Sequence, residues 1–131
     1  MTHLLDTNAV IAVMRGDARV TERMTRLDPA DVAVSSVVMH ELFYGAYRST
    51  RLDANLARVR ALRFAILDFD AGDAEAAGRI RASLAAKGTP IGPYDVLIAG
   101  QALARDLMLV TRNVGEFGRV DDLRFENWEN A

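Results

Sequence analysis

Cysteine is absent from all 131 residues, which removes a disulfide scaffold, a cysteine zinc site and a thiol nucleophile together. Lysine occurs once, at Lys87, and histidine twice, at His3 and His40. No apolar run approaches the roughly 20 residues that span a bilayer. The opening Met1-Thr2-His3-Leu4-Leu5-Asp6 has neither the basic nor the apolar region of a signal peptide, and a cytoplasmic protein is expected. There is no internal repeat, no low-complexity tract and no Pro/Gly-rich linker, so residues 1–131 are expected to form one domain. Nor is there an excess of positive charge. The formal net charge is −2, which argues against a surface coated for salt-driven nucleic-acid binding while leaving local arrangements open. Arg48, Arg51, Arg58, Arg60 and Arg63 do crowd one stretch with Asp53 as its single acid, and a solvated helix face is the simpler reading of them.

What is present suits a compact domain: half the residues are apolar and 26% are charged. A chain of this length buries about two-thirds of the surface it exposes when unfolded. Leu4-Leu5 opens a short strand ended by Asp6-Thr7-Asn8, three residues suited to capping a helix near 9–15 that stops at Gly16. A second helix is expected over 18–27, before Pro29. Val32-Ala33-Val34 reads as a buried strand closed by Ser35-Ser36, with Ser36 able to cap a helix near 37–48. Leu56, Val59 and Leu62 give 53–63 an amphipathic helical spacing. Residues 65–69 read as a strand, and 72–87 as an alanine-rich helix ended by Gly88. Pro93 suits the first turn of a helix over 93–105. Leu107 to Thr111 is a strongly apolar strand, 112–120 reads as an irregular loop, and 123–128 as a last edge strand. Short apolar strands alternating with helices predict an α/β fold, with a central, mostly parallel sheet of about five strands covered by helices on both faces. Sites in such sheets lie beyond the carboxyl ends of the strands.

Four carboxylate-bearing segments fall where that rule looks. Asp6 follows the first strand, where an N-cap role is equally available. Glu41 has Val37, Val38, Tyr44 and Gly45 as its helical neighbours, a face on which a carboxylate is costly unless a cation meets it. Asp95 sits in the first turn of its helix, on a face shared with Ala99 and Ala102, and gains from the helix dipole. Asn113 comes just past the Leu107–Thr111 strand with Glu116 three residues on; turn chemistry would explain the asparagine and solvation the glutamate. Carboxylates converging without a cation raise one another's pKa and repel. Convergence therefore predicts a metal, and an all-oxygen donor set points to Mg²⁺, with Mn²⁺ able to substitute, rather than zinc. Such an ion can activate water and neutralise phosphate oxygens, the standard equipment for cutting phosphodiesters.

The segments Leu4-Leu5-Asp6-Thr7-Asn8, Met39-His40-Glu41-Leu42-Phe43-Tyr44-Gly45, Ile91-Gly92-Pro93-Tyr94-Asp95-Val96-Leu97-Ile98-Ala99 and Leu109-Val110-Thr111-Arg112-Asn113 stand in the order found in PIN-domain proteins. With the chain length and the closing Phe125-Glu126-Asn127-Trp128, the sequence resembles the VapC-type ribonuclease toxins of bacterial toxin–antitoxin pairs. The resemblance spans essentially the whole chain. It implies a Mg²⁺-dependent endoribonuclease, a homodimer, and a cognate antitoxin that blocks the acidic site. Carried over by position, Asp6 and Asp95 resemble the metal ligands and Glu41 the third acid, ligating directly or through water. Asn113 stands where many relatives carry a fourth acid: either one metal suffices, or Glu116 replaces it. Thr111 and Arg112 are auxiliary candidates for orienting water or phosphate. His3 and His40 receive no role, because His40 points about 100° away from Glu41 on a helix.

The residues leave two other readings open. The same fold without catalysis would be an RNA- or protein-binding module, which Asn113 would suit. A phosphotransfer receiver or aspartyl phosphatase fits poorly. Lys87 ends a helix rather than following a late strand, and Asn8 stands where many such phosphatases carry a second aspartate.

Overall fold

The computed structural model describes residues 1–129. Its elements are β1 (His3–Leu5), α1 (Thr7–Met14), α2 (Ala18–Thr25), β2 (Val32–Ser35), α3 (Ser36–Arg48), α4 (Leu52–Arg60), β3 (Ala65–Leu67), α5 (Ala71–Ala86), α6 (Pro93–Ala104), β4 (Met108–Val110), α7 (Val114–Phe117) and β5 (Phe125–Glu126), with a 3₁₀ turn at Pro29–Asp31. The strands pair in the order β3-β2-β1-β4-β5, and every pairing is parallel. The expected five-stranded α/β sheet is therefore present, and it is wholly rather than mostly parallel. Consecutive residues Leu4-Leu5, Val32-Ala33-Val34 and Leu109-Val110 are all buried, as strands covered on both faces require. Helices α1 and α2 connect β1 to β2, α3 and α4 connect β2 to β3, and α5 and α6 carry the chain from β3 back across the sheet to β4. Among the described residues no helix is long and apolar enough to cross a membrane.

The winding of the sheet reverses at β1. From there the chain moves toward β2 and β3, then returns to β4 on β1's other side. The loops after β1 and β4 thus leave their strands in opposite directions and open a crevice at the carboxyl edge. The start of α6 lies at this edge too, because α6 feeds directly into β4 and runs antiparallel to it.

Several boundaries differ from the sequence reading, each for a local reason. Helix α1 begins at Thr7, since Asp6 is the cap that accepts from the Ala9 N–H. Ser35, not Ser36, caps α3 by accepting from the Val37 N–H; the Ser36 hydroxyl instead accepts from the Phe69 N–H, tying α3 to the segment after β3. Helices α2 and α4 end two and three residues early, and β3 stops at Leu67. The expected loop 112–120 contains a turn of helix, α7, which drives Phe117 into the core. The last strand shrinks to Phe125–Glu126, after which Trp128 is buried and its indole N–H donates to Glu126 (2.9 Å). The glycine stops hold: Gly16 and Gly88 take left-handed φ of 72° and 70° just past their helices. All five arginines of the 48–63 stretch are exposed, as a solvated face requires.

Two features lock the α5–α6 pair. A Cβ built on Gly100 would lie 2.6 Å from the backbone of Ala77, so only glycine permits this helix approach. At the same interface Arg105 Nη2 and Nε bridge the buried Asp73 at 3.0 and 3.2 Å, while the Gln101 amide donates to the same carboxylate. Burial alone would raise the Asp73 pKa; the Arg105 bonds and the Asp70 N–H hold it below its ordinary value.

Candidate active site

Asp6 leaves β1 at the crevice. Its N–H donates to Val110 O (3.0 Å) on β4, and its Oδ1 accepts from Ala9 N–H (2.8 Å). Capping and site placement, alternatives in the sequence, are one geometry here: the capping bond fixes the carboxylate at the sheet edge. Asp6 is 3% exposed. Burial raises its pKa, the Thr111 hydroxyl and Ala9 N–H oppose this, and the charges of Glu129 and Glu41 add to it. Thr111 is buried beneath the site, and its Oγ1 also accepts from the Asn113 N–H (2.9 Å). It therefore joins Asp6 to the loop after β4.

Glu41 projects from α3 and accepts from the Thr7 hydroxyl at 2.8 Å, which links the third acid to the residue after Asp6. Asp95, half-buried in the first turn of α6, has its pKa raised from 3.8 to about 7. The causes, in order, are burial and the charges of Glu116, Asp6 and Glu41. Gly92 caps α6 without a side chain. A Cβ there would lie 3.2 Å from Asp95 Oδ2 and 3.5 Å from Glu116 Oε1, so the glycine leaves room for the two acids to approach.

Asn113 is no ordinary cap, because its side chain makes no capping bond to α7. Its amide donates to Glu116 Oε2, and Gly92 N–H donates to Glu116 Oε1. Those two bonds hold the Glu116 pKa below its ordinary value and fix the carboxylate beside Asp95. The departure at Asn113 thus comes with an acid one helical turn later, and the asparagine holds that acid in place.

The structure brings Asp6, Glu41, Asp95, Asn113, Glu116 and Thr111 to one edge. Arg112 makes no ion pair with these acids among the described residues; its exposed guanidinium faces Glu129 at 3.9 Å, as does Arg15 at 4.0 Å. Glu129 was missed by sequence reasoning. It reaches the neighbourhood of Asp6 because Trp128 is buried and the Asn127 side chain accepts from the Glu129 N–H (2.9 Å); no periodicity signals this. His40 was given no role, yet its ring meets Tyr94 at 4.9 Å on the rim of the acid cleft. His3 packs on Trp128 at 5.7 Å, at the amino end of β1 and far from the carboxyl edge.

Among the described residues, none of the ion pairs involves Asp6, Glu41, Asp95 or Glu116. Four carboxylates without an ion-pair partner form a hard-oxygen donor set, and burial first, with the neighbouring acids' charges second, raises the Asp95 pKa. As placed, no three of them stand close enough together to grip one ion, among the described residues. Glu41 is turned onto Thr7, and Glu116 onto Asn113 and Gly92. The donor chemistry is of the kind a divalent cation takes, and these side chains would have to rotate to hold one.

Comparison with known proteins gives one answer. The PIN domain family matches residues 3–123. The tRNA(fMet)-specific endonuclease VapC of Salmonella typhimurium is 41% identical over 127 residues, covering 95% of this chain and 96% of the relative. Ribonuclease VapC2 of Haemophilus influenzae is 38% identical, covering 98% of each. Among solved structures, DNA-bound VapBC from Salmonella typhimurium superposes with a TM-score of 0.91 at 40% identity, covering 98% of each chain. VapBC2 from Rickettsia felis, bound to a promoter DNA fragment, also gives 0.91, at 33% identity and covering 98% of this chain and 99% of that one. The fold, the acidic crevice at its switch point and these relatives together make the chain a member of the PIN-domain family and, within it, of the VapC ribonucleases.

Proposed function

We propose that this chain is a metal-dependent endoribonuclease, the toxin of a VapBC pair, and that its substrate is an initiator tRNA. The observation that carries the chemistry is the unneutralised quartet of Asp6, Glu41, Asp95 and Glu116 at the carboxyl edge, with Asp95 pushed up to about 7. The tRNA(fMet)-specific endonuclease of Salmonella typhimurium, 41% identical over nearly the whole chain, supports the substrate.

In this reading Asp6 and Asp95 hold Mg²⁺ or Mn²⁺, with Glu41 as third acid. Such an ion supplies charge neutralisation at the phosphate and a lowered pKa for attacking water. Asp6 contributes a carboxylate whose orientation the Ala9 and Thr111 bonds set in advance. The Thr7 hydroxyl holds the Glu41 rotamer. Asn113 and Gly92 hold the Glu116 carboxylate beside Asp95 and its pKa below the ordinary value, and a bound cation would be expected to favour the charged form of Asp95. Thr111 positions Asp6 and the loop after β4 together. Against the non-catalytic alternative, which Asn113 would suit, the Glu116 carboxylate that its amide holds beside Asp95 supports the catalytic reading.

The regulator in this reading is a cognate antitoxin that places a basic side chain among the four acids. An apolar groove of about 240 Å³ lined by Ile11, Met14, Leu42 and Val59 opens from Thr7 and Glu41, and that partner would cover it. A homodimer belongs to the same reading; the exposed Tyr47 and Ile66 are apolar surface available to it, and light scattering reads the mass.

The test is incubation of antitoxin-free protein with a bacterial tRNA pool and Mg²⁺, followed by sequencing of new ends. Cuts confined to initiator tRNA are expected. Intact RNA across the pool would overturn the function, and a cut in another RNA would overturn only the substrate.

A further inference from the structure

Each of two acids in the crevice follows an aromatic residue in sequence: His40 precedes Glu41 on α3, and Tyr94 precedes Asp95 at the start of α6. Adjacent helical residues point about 100° apart, so a ring stands on the rim while its neighbouring acid turns inward. The two rims meet. The His40 and Tyr94 rings lie 4.9 Å apart, tilted by 58°. Tyr44, one turn beyond His40, continues the row, and Tyr44 and Tyr94 are 58% and 45% exposed. Neither ring is needed by the core. Thr7, His40, Glu41, Tyr44 and Tyr94 enclose an open cavity of about 410 Å³ whose floor belongs to the candidate active site.

We infer that Tyr94, Tyr44 and His40 form a stacking shelf for an unpaired nucleobase of the RNA, adjoining the phosphodiester that is cut. The inference rests on the ribonuclease reading and names residues that seat its substrate. Flat π faces accept any base by stacking, and hydroxyl and carboxylate groups at the floor can meet a base edge. No aliphatic side chain lines the cavity, which sets it apart from the neighbouring groove of Ile11, Met14, Leu42 and Val59. A protein partner's apolar anchor fits the groove; a base fits the shelf. Charge agrees. Arg48 lies over the Tyr44 ring at 5.5 Å and donates to its hydroxyl at 3.2 Å, putting a cation at the outer end, where the strand's next phosphate would lie. Acids on the inner side and an arginine on the outer side give the shelf a direction along the RNA backbone.

The experiment uses full-length initiator tRNA carrying 2-aminopurine at one unpaired position at a time. Binding is measured with full-length protein in an Asp6→Asn background to prevent turnover, and cleavage with otherwise wild-type protein in Mg²⁺. Fluorescence quenching at one position is expected on binding. Tyr94→Phe should keep the quench, whereas Tyr94→Ala should lose it and bind about tenfold more weakly. Tyr44→Ala should weaken binding in the same sense, and Glu75→Ala, on the exposed side of α5 and outside the cavity, should change neither readout. Circular dichroism checks that the exposed-site variants fold. Normal quenching and affinity in Tyr94→Ala would overturn the shelf, whether or not that variant lost antitoxin affinity. If the tRNA is cut while Tyr94→Ala binds it normally, the shelf fails and the ribonuclease reading stands. If no tRNA is bound or cut by any form, that reading fails and takes the shelf with it.

Discussion

Replacing Asp95 by asparagine should make the protein more stable and inactive at once. In the absence of divalent cations Asp95 is held at about 7, against an ordinary 3.8, by burial and by three neighbouring acids. Above pH 7 the ionised carboxylate therefore opposes folding. The full shift corresponds to an upper limit of about 4 kcal/mol, and screening at a half-buried group reduces this to about 2 kcal/mol. Asparagine has nearly the same shape, carries no charge, and can donate to Glu116 as the protonated acid does. The sign follows from linkage: a carboxyl whose folded pKa is raised destabilises the native state above that pKa, and the penalty fades as pH falls from 7 toward 3.8. Asp95→Asn should thus raise the Tm by about 7 °C at pH 8 in chelator. At pH 5 the gain should shrink to about 1 kcal/mol or less. Adding Mg²⁺ should stabilise the wild type more than the variant, since only the wild type keeps the full donor set. Differential scanning calorimetry at both pH values reads all three. A Tm for Asp95→Asn at pH 8 equal to or below wild type, or a gain equal at pH 5 and pH 8, would refute the buried, acid-crowded carboxyl.

Three further outcomes probe the surrounding framework. Glu116→Gln removes the largest charge acting on Asp95 but leaves its burial, so the Asp95 midpoint should fall part-way from about 7 toward 3.8; carboxyl NMR in chelator reads it, and an unmoved midpoint would contradict the Asn113–Glu116–Asp95 arrangement. Gly100→Ala forces a methyl onto the Ala77 backbone, and despite alanine's helix preference of about 1 kcal/mol it should destabilise by about 1–3 kcal/mol. A urea midpoint unchanged or raised would deny the close approach of α5 and α6. Arg105→Met leaves the Asp73 carboxylate buried without its cation and should cost about 3 kcal/mol at pH 7. Because Arg105 holds the Asp73 pKa below its ordinary value, this difference should shrink as pH falls below 3.8, which denaturation at pH 7 and pH 3 compares.

The strands were legible because parallel strands buried on both faces read as unbroken apolar runs, and Leu4-Leu5, Val32-Ala33-Val34 and Leu109-Val110 do. Gly16 and Gly88 were legible as stops because the left-handed turn past each helix favours glycine. Helix α7 was not: four residues anchored by Phe117 alone carry no periodicity. The choice between Ser35 and Ser36 as cap turned on a bond from Phe69, 33 residues away, which local pattern cannot contain. The candidate site divides along the same line. Asp6 was placed by the strand-end rule, and Asp95 by its position at a helix start together with the family resemblance. Their partners were less accessible. Helical geometry correctly turned His40 away from Glu41, yet it could not say that Tyr94 of α6 waits there. Asn113 looked like a lost acid until the fold showed its amide holding Glu116. Arg105 and Asp73 lie 32 residues apart, and only the packing of α5 on α6 joins them. Gly100, inside α6, is what permits that close packing.

The most direct test compares RNA cleavage by antitoxin-free protein in Mg²⁺ and in chelator, beside a folded Asp6→Asn variant. Cleavage that requires the cation and is lost in Asp6→Asn is the expected result. Cleavage that persists in chelator, or in Asp6→Asn at the wild-type rate, would contradict a metal-dependent nuclease built on these acids.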